Sequence, residues 1–114
     1  MEGHVVKATA RWVRMAPRKV RHVADVIRGK RVDEAGAILS FVQRRAVLPV
    51  KKVLNSAVDQ ARQAGNFDLD NLYVKEIYVD KGPSIKRTLS RSRGMVNRID
   101  KFTSHITVVL GELE

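Results

Sequence analysis

An α+β fold is what the 114-residue sequence predicts: a small antiparallel three-stranded sheet covered by three helices, with a long protruding β-hairpin arm. Three observations lead there. Period-two hydrophobic alternation occupies the two ends of the chain, while helical i, i+3, i+4 spacing fills the middle. Strands and helices are segregated in this way in α+β domains, not alternated. Finally, the twenty residues between the last two strand patterns, GPSIKRTLSRSRGMVNRIDK at 82–101, hold six Lys or Arg, one Asp and no apolar periodicity. A connection that long is uncommon in a compact domain unless it has a function.

Each element has its own justification. In the first strand, from His4 to Arg14, Val6, Ala8, Ala10 and Trp12 share one parity and Lys7, Thr9 and Arg11 the other, which assigns Trp12 to the core. Pro17 suits the first turn of the next helix, because its missing N–H is unpaired there anyway. Val20, Val23, Ala24 and Ile27 follow at helical spacing, with Gly29 as the stop and Arg18, Arg21 and Arg28 away from the apolar stripe. A second helix reads from Asp33, as N-cap, through Ala35, Ile38, Leu39 and Val42, weakened by Gly36. The third carries Val50, Val53, Leu54, Ala57, Val58, Ala61 and Ala64, tolerates Pro49 near its start and ends at Gly65-Asn66. Its alanines predict close packing on a flat surface such as a sheet. Leu72 and Val74 differ in parity from Ile77 and Val79, so the strand over 71–81 is expected to hold a bulge near Lys75-Glu76. Phe102, Ile106, Val108 and Leu110 alternate with Thr103, His105 and Thr107, giving an antiparallel partner for that strand.

Length allows one domain with one modest core: a body at 1–81 and 102–114, and a basic hairpin arm at 82–101. The charge is unusual. A net +10 with a pI near 10.5 is the footprint of a polyanion binder. It is also unevenly placed: +6 over residues 1–30, zero over 31–80, +6 over 81–101 and −2 over 102–114. A neutral middle therefore separates two basic segments, Lys7, Arg11, Arg14, Arg18, Lys19, Arg21, Arg28 and Lys30 in the first, Lys81, Lys86, Arg87, Arg91, Arg93, Arg98 and Lys101 in the second. Arg forks engage phosphates and stack on bases, which suits folded RNA where backbones converge.

Other chemistries find little support. Without cysteine there is neither a disulfide framework nor a thiolate metal site. His4, His22 and His105 lack metal-ligand spacing. Gly29-Lys30 is no phosphate loop, and no Ser, His and Asp grouping suggests a nucleophile. Met1-Glu2-Gly3-His4 leads into no apolar signal region and no run is long enough to span a bilayer, so a soluble cytoplasmic protein is expected. The residues alone leave open a regulatory binder whose helix over 17–28 reads duplex DNA, a basic helix on anionic lipid, and, last, an enzyme.

The segments MAPRKVRHVADVIRGK (15–30), KKVLNSA (51–57), LYVKEIYVDKGPSIKR (72–87), SRSRG (90–94) and SHITVVLGE (104–112) resemble the bacterial large-subunit ribosomal protein twenty-two family, in one order over nearly the whole chain. The resemblance implies a structural, non-enzymatic constituent of the cytoplasmic large ribosomal subunit with an α+β body. It further implies an early role in assembly, and a long hairpin reaching through ribosomal RNA to the wall of the nascent-peptide exit tunnel. The implied partners are large-subunit rRNA, neighbouring large-subunit proteins and the nascent polypeptide; no cofactor, metal, membrane or small-molecule substrate is implied. Arg18, Lys19, Arg28 and Lys30 match the family's basic helix, Gly82, Pro83, Lys86 and Arg87 the root of the arm, Arg91, Arg93 and Gly94 its tip, and Ser104-His105-Ile106 the returning strand. The candidate rRNA-binding set is Lys7, Arg11, Arg14, Arg18, Lys19, Arg21, Arg28, Lys30, Lys81, Lys86, Arg87, Arg98, Lys101 and His105, and the candidate tunnel-facing tip is Leu89, Ser90, Arg91, Ser92, Arg93, Gly94 and Met95. The chain has Ala16 where the family usually has Ser, removing a helix cap of order 1 kcal/mol. Lys81 stands in place of a usual acid.

Overall fold

The strand that organises the molecule, β5 (Ser104–Glu112), lies between β1 (Val5–Val13) and β2 (Leu72–Lys81) and runs antiparallel to both. The computed structural model describes residues 5–65, 67–83, 85–90 and 96–112, with side chains for all of these except 85–90 and 96–101. Three helices follow β1: α1 (Pro17–Ile27), α2 (Val32–Phe41) and α3 (Val47–Ala64); a 3-10 turn at Leu69–Asn71 leads into β2. The α+β class, the three-stranded antiparallel sheet and the three helices are as the sequence predicts.

Register shows why the apolar pattern works. Val6, Leu110 and Val74 lie in one row across the sheet, Ala8, Val108 and Ile77 in the next, and Ala10, Ile106 and Val79 in the third. Ile106, Val108 and Leu110 have no exposed surface. Alanines Ala57 and Ala61 let α3 pack closely on β1 and β5, while α1 packs its Val20, Val23, Ala24 and Ile27 stripe toward β2. At roughly 25 cal/mol per Å² of apolar surface removed from water, this layer is the main favourable term of the fold. Gly65, left-handed at φ 78°, closes α3 as expected, and Pro49 is its third residue, where no intrahelical bond is lost. Asn66 lies outside the described residues.

The bulge expected near Lys75-Glu76 is present: pairing to β5 shifts between Val74 and Glu76. A second bulge was not expected. Pairing of β1 to β5 shifts between Ala10 and Val13, so Val13 packs against the core and Trp12, with φ 62°, stands 62% exposed. The core assignment of Trp12 is therefore corrected: the inserted residue reverses the parity that made it look buried. Asp33 is likewise not the N-cap of α2. The helix starts at Val32 after Arg31, whose bridge to Tyr73 holds that backbone extended, and Asp33 and Glu34 sit in the first turn, where they complement the helix dipole. Phe102 is exposed just before β5.

Residues of the basic segment form a separate two-stranded antiparallel sheet, β3 (Ile85–Ser90) with β4 (Val96–Lys101), in six pairs from Ile85 opposite Lys101 to Ser90 opposite Val96. Arg91, Ser92, Arg93, Gly94 and Met95 of the expected tip lie outside the described residues, as do the side chains of Lys86, Arg87, Leu89, Ser90, Arg98 and Lys101.

Candidate nucleic-acid interface

Helices cover one face of the sheet, and the other carries Lys7, Thr9 and Val5 of β1, His105, Thr107 and Val109 of β5, and Tyr73, Glu76, Tyr78 and Asp80 of β2. Lys7 is exposed there by the alternation of the strand, and Arg11 and Arg14 are exposed along the bulge and the bend that follow. Among the described residues none of the three has an ion-pair partner.

On α1 the structure separates the cations into two groups. Arg21 donates from Nε (3.2 Å) and Nη2 (2.9 Å) to the Val79 carbonyl, and Arg28 from Nη2 to the Ile77 carbonyl (2.8 Å) and from Nη1 to Asp25 (2.6 Å). Gly29 N–H donates to the Val74 carbonyl, and Val74 N–H to that of Lys30, at 2.9 and 2.8 Å. Together these bonds close the outer edge of β2, which would otherwise present unpaired backbone groups. Arg21 and Arg28 thus latch α1 to the sheet. Arg18, Lys19 and the Lys30 side chain are exposed and free of ion pairs among the described residues. Arg18 and Lys19 sit in the first turn of α1, which has no acid and no side-chain cap, so the positive helix end and two cations converge on an anion-attracting corner.

The root of the basic segment is built tightly. Gly82 N–H donates to the Thr103 carbonyl at 2.9 Å, and Thr103 Oγ1 donates to the Pro83 carbonyl at 2.6 Å. Gly82 is required here because a Cβ would overlap Thr103 Oγ1 and press on the His105 ring. Ser104 Oγ ties the same point to the Met15 carbonyl at 2.6 Å. Lys81 Nζ lies 5.4 Å from the centre of the Phe102 ring, a cation–π contact.

His105 is engaged on one side. Its Nδ1 accepts from the Trp12 backbone N–H at 3.2 Å, and the Trp12 ring meets it edge-on at 5.3 Å between centres. With Nδ1 as acceptor the ring hydrogen resides on Nε2, which is the group His105 offers to a ligand. Trp12 was missed by the parity argument, yet it is an exposed aromatic beside Arg11, Arg14 and His105, suited to stacking on a base. The signal was weak: Trp12-Val13 reads as apolar in either register. Among the described residues there is no cluster of His, Asp or Glu able to hold a metal, and no helix is long and apolar enough to cross a membrane.

A family model described as "Ribosomal protein L22p/L17e" matches residues 8–111, which take in all three helices, β2, both ribbon strands and most of β1 and β5. The chain belongs to that ribosomal protein family. Similar proteins include the "Large ribosomal subunit protein uL22" of Desulfitobacterium hafniense (strain DSM 10664 / DCB-2), 57% identical over 106 residues that cover 93% of each chain. The protein of the same name from Thermus thermophilus is 54% identical over 108 residues, 93% of this chain and 94% of the relative. That of Deinococcus radiodurans is 53% identical over 105 residues, covering 92% and 78%. Members of the L22p/L17e family are structural proteins, not enzymes, and these relatives are named as constituents of the large subunit.

Proposed function

We propose that this chain, a large-ribosomal-subunit constituent by its family, binds large-subunit rRNA, supports early subunit assembly and extends residues 82–101 as a hairpin to the wall of the nascent-peptide exit tunnel. It would act in the cytoplasm, within the ribosome, beside neighbouring large-subunit proteins. The observation that carries the reading is the division of the molecule: a covered body with family-level identity, and a cationic ribbon, β3 with β4, that forms a sheet of its own. A radius of gyration of 17.4 Å, where about 13 Å is usual for this length, and a 65 Å long axis against 27 and 21 Å support an arm standing off the body.

In this reading Lys7, Arg11, Arg14, Arg18, Lys19, Lys30 and His105 Nε2 contact RNA from the body, while Lys81, Lys86, Arg87, Arg98 and Lys101 do so along the arm. Arg21 and Arg28 add to this only through donors left over from latching α1 to β2. Residues 89–95 form the tip that meets the tunnel and the nascent polypeptide. Phosphate and sugar take most of the contacts, and RNA shape supplies selectivity. Duplex DNA reading by α1 is disfavoured, since a recognition helix with two of its guanidinium groups bound to β2 carbonyls has few left for base edges.

Titration with large-subunit rRNA over a range of salt tests the reading. Residues 86–98 hold five cations, so log affinity against log salt should fall by up to about 3.5 more for the intact chain than for one lacking them, at about 0.7 per phosphate contact. Equal slopes for the two proteins would refute RNA binding by the arm. In assembled particles, crosslinks from positions 91 and 93 should land on rRNA or nascent chain; their absence would remove the tunnel assignment.

A further inference from the structure

Averaging residues 31–80 to zero net charge conceals a third basic region. From position 35 to 58 the sequence has no Asp or Glu and four cations, Arg44, Arg45, Lys51 and Lys52. All four are exposed, and none has an ion-pair or side-chain hydrogen-bond partner among the described residues. In sequence they lie beside the most exposed apolar groups of the body. Phe41, the last residue of α2, is 84% exposed, and Leu48, in the first turn of α3, is 63% exposed. Leu48, Lys51 and Lys52 stand at i, i+3 and i+4 and so share one face of α3, while Arg44 and Arg45 lie in the short connection between Phe41 and that face.

We infer that this α2–α3 corner is a further RNA contact, independent of the arm, which takes an unpaired nucleotide on the Phe41 ring while Arg44, Arg45, Lys51 and Lys52 hold the adjoining phosphates. The inference rests on the reading above that the chain binds ribosomal RNA. Charge decides the class of partner. A protein neighbour covering Phe41 and Leu48 would have to answer four uncompensated cations with its own carboxylates, whereas an RNA loop brings phosphates and an apolar base face together. A base stacked on Phe41 needs no particular sequence, so the corner contributes affinity and orientation and leaves selectivity to RNA shape.

The test uses the full chain and protein-free large-subunit rRNA. Phe41→Ala should weaken binding about five- to hundredfold with the salt slope unchanged, because stacking is lost and no charge is removed; Phe41→Trp should retain the affinity. The quadruple R44Q/R45Q/K51Q/K52Q variant should flatten the slope by up to about 3, at about 0.7 per phosphate contact. Exposure of all the altered side chains predicts unchanged circular dichroism and thermal midpoint for each variant, read alongside. Wild-type affinity and slope for the corner variants, with the slope still lost on deleting 86–98, would overturn this inference and leave the arm's role intact. Loss of salt-dependent binding by neither set would count against both. Corner variants that bind RNA normally but enter subunit particles poorly would assign the surface to a protein neighbour, and the inference would again fail.

Discussion

The two sheets of this molecule are held by different means. In the body, β5 has a strand on each edge and helices over one face, and its Ile106, Val108 and Leu110 are entirely enclosed. In the ribbon, β3 and β4 pair with each other and with no further strand among the described residues, and the register sets only Ile85, Leu89 and Ile99 as apolar residues on one face, interleaved with Arg87, Asn97 and Lys101. Two-stranded sheets of this kind are marginal alone in water. The difference teaches that burial fixes the first sheet, while under the function proposed above the second would be ordered by the phosphates that neutralise its cations.

Core truncation in β5 should show the largest effect. Leu110→Ala or Ile106→Ala should cost about 2–5 kcal/mol by chemical denaturation, a large part of a small domain's total stability. A cost under 1 kcal/mol would mean that the body does not depend on this layer. The junction of the two regions comes next. Gly82→Ala forces a Cβ against Thr103 and should cost about 1–3 kcal/mol, with Thr103→Val losing the bond to the Pro83 carbonyl. If Gly82→Ala were neutral, the root would be loose and the arm free to swing on it.

The edge latch is smaller. Arg28→Met should cost about 1 kcal/mol, because its bond to the Ile77 carbonyl is lost from a side chain that is itself half-exposed, as the 47% exposure of the Arg28 side chain limits the gain. Hydrogen exchange would sharpen this, since opening should concentrate at the outer edge of β2. Ala16→Ser should act in the opposite sense by about 0.5–1 kcal/mol. Ala16 already has the extended backbone of an N-cap, φ −64° and ψ 134°, but lacks a side chain to accept the bond. No change in thermal midpoint would show that another group satisfies the first turn.

How far the sequence foretold these features depends on where the deciding interaction lies. The bulge in β2 was legible because its parity switch is written in the residues, Leu72 and Val74 against Ile77 and Val79. That in β1 was not, since Trp12 and Val13 are both apolar and pairing with β5, nearly a hundred residues away, chooses between them. The N-cap of α2 was misplaced by two residues, Asp33 for Arg31, for a similar reason: its boundary is fixed by the Arg31–Tyr73 bridge, not by a local cap. At the candidate interface, Lys7 and Arg18 were readable as cations facing away from apolar stripes, and Lys19 from the family resemblance. Arg21 and Arg28 gave the same signal, but their carbonyl acceptors lie 58 and 49 positions along the chain, beyond the reach of periodicity. The α2–α3 corner was hidden by summing charge over a window that also held the acids of the neighbouring segments.

The smallest effect on folding is the one that separates the regions most cleanly. Arg87→Ala with Arg98→Ala removes two cations from strands that belong to the ribbon and not to the body sheet, so the denaturation midpoint should stay within about 0.5 kcal/mol of the parent. The same pair should flatten the salt dependence of RNA binding by about 1.4, two contacts at about 0.7 each. Stability and binding then move independently: Leu110→Ala lowers the first by burial, and the double substitution lowers the second by charge. Were the double substitution to lower stability by as much as a core truncation, the ribbon would share the body's packing, and the separation of a buried sheet from a charged one would have to be abandoned.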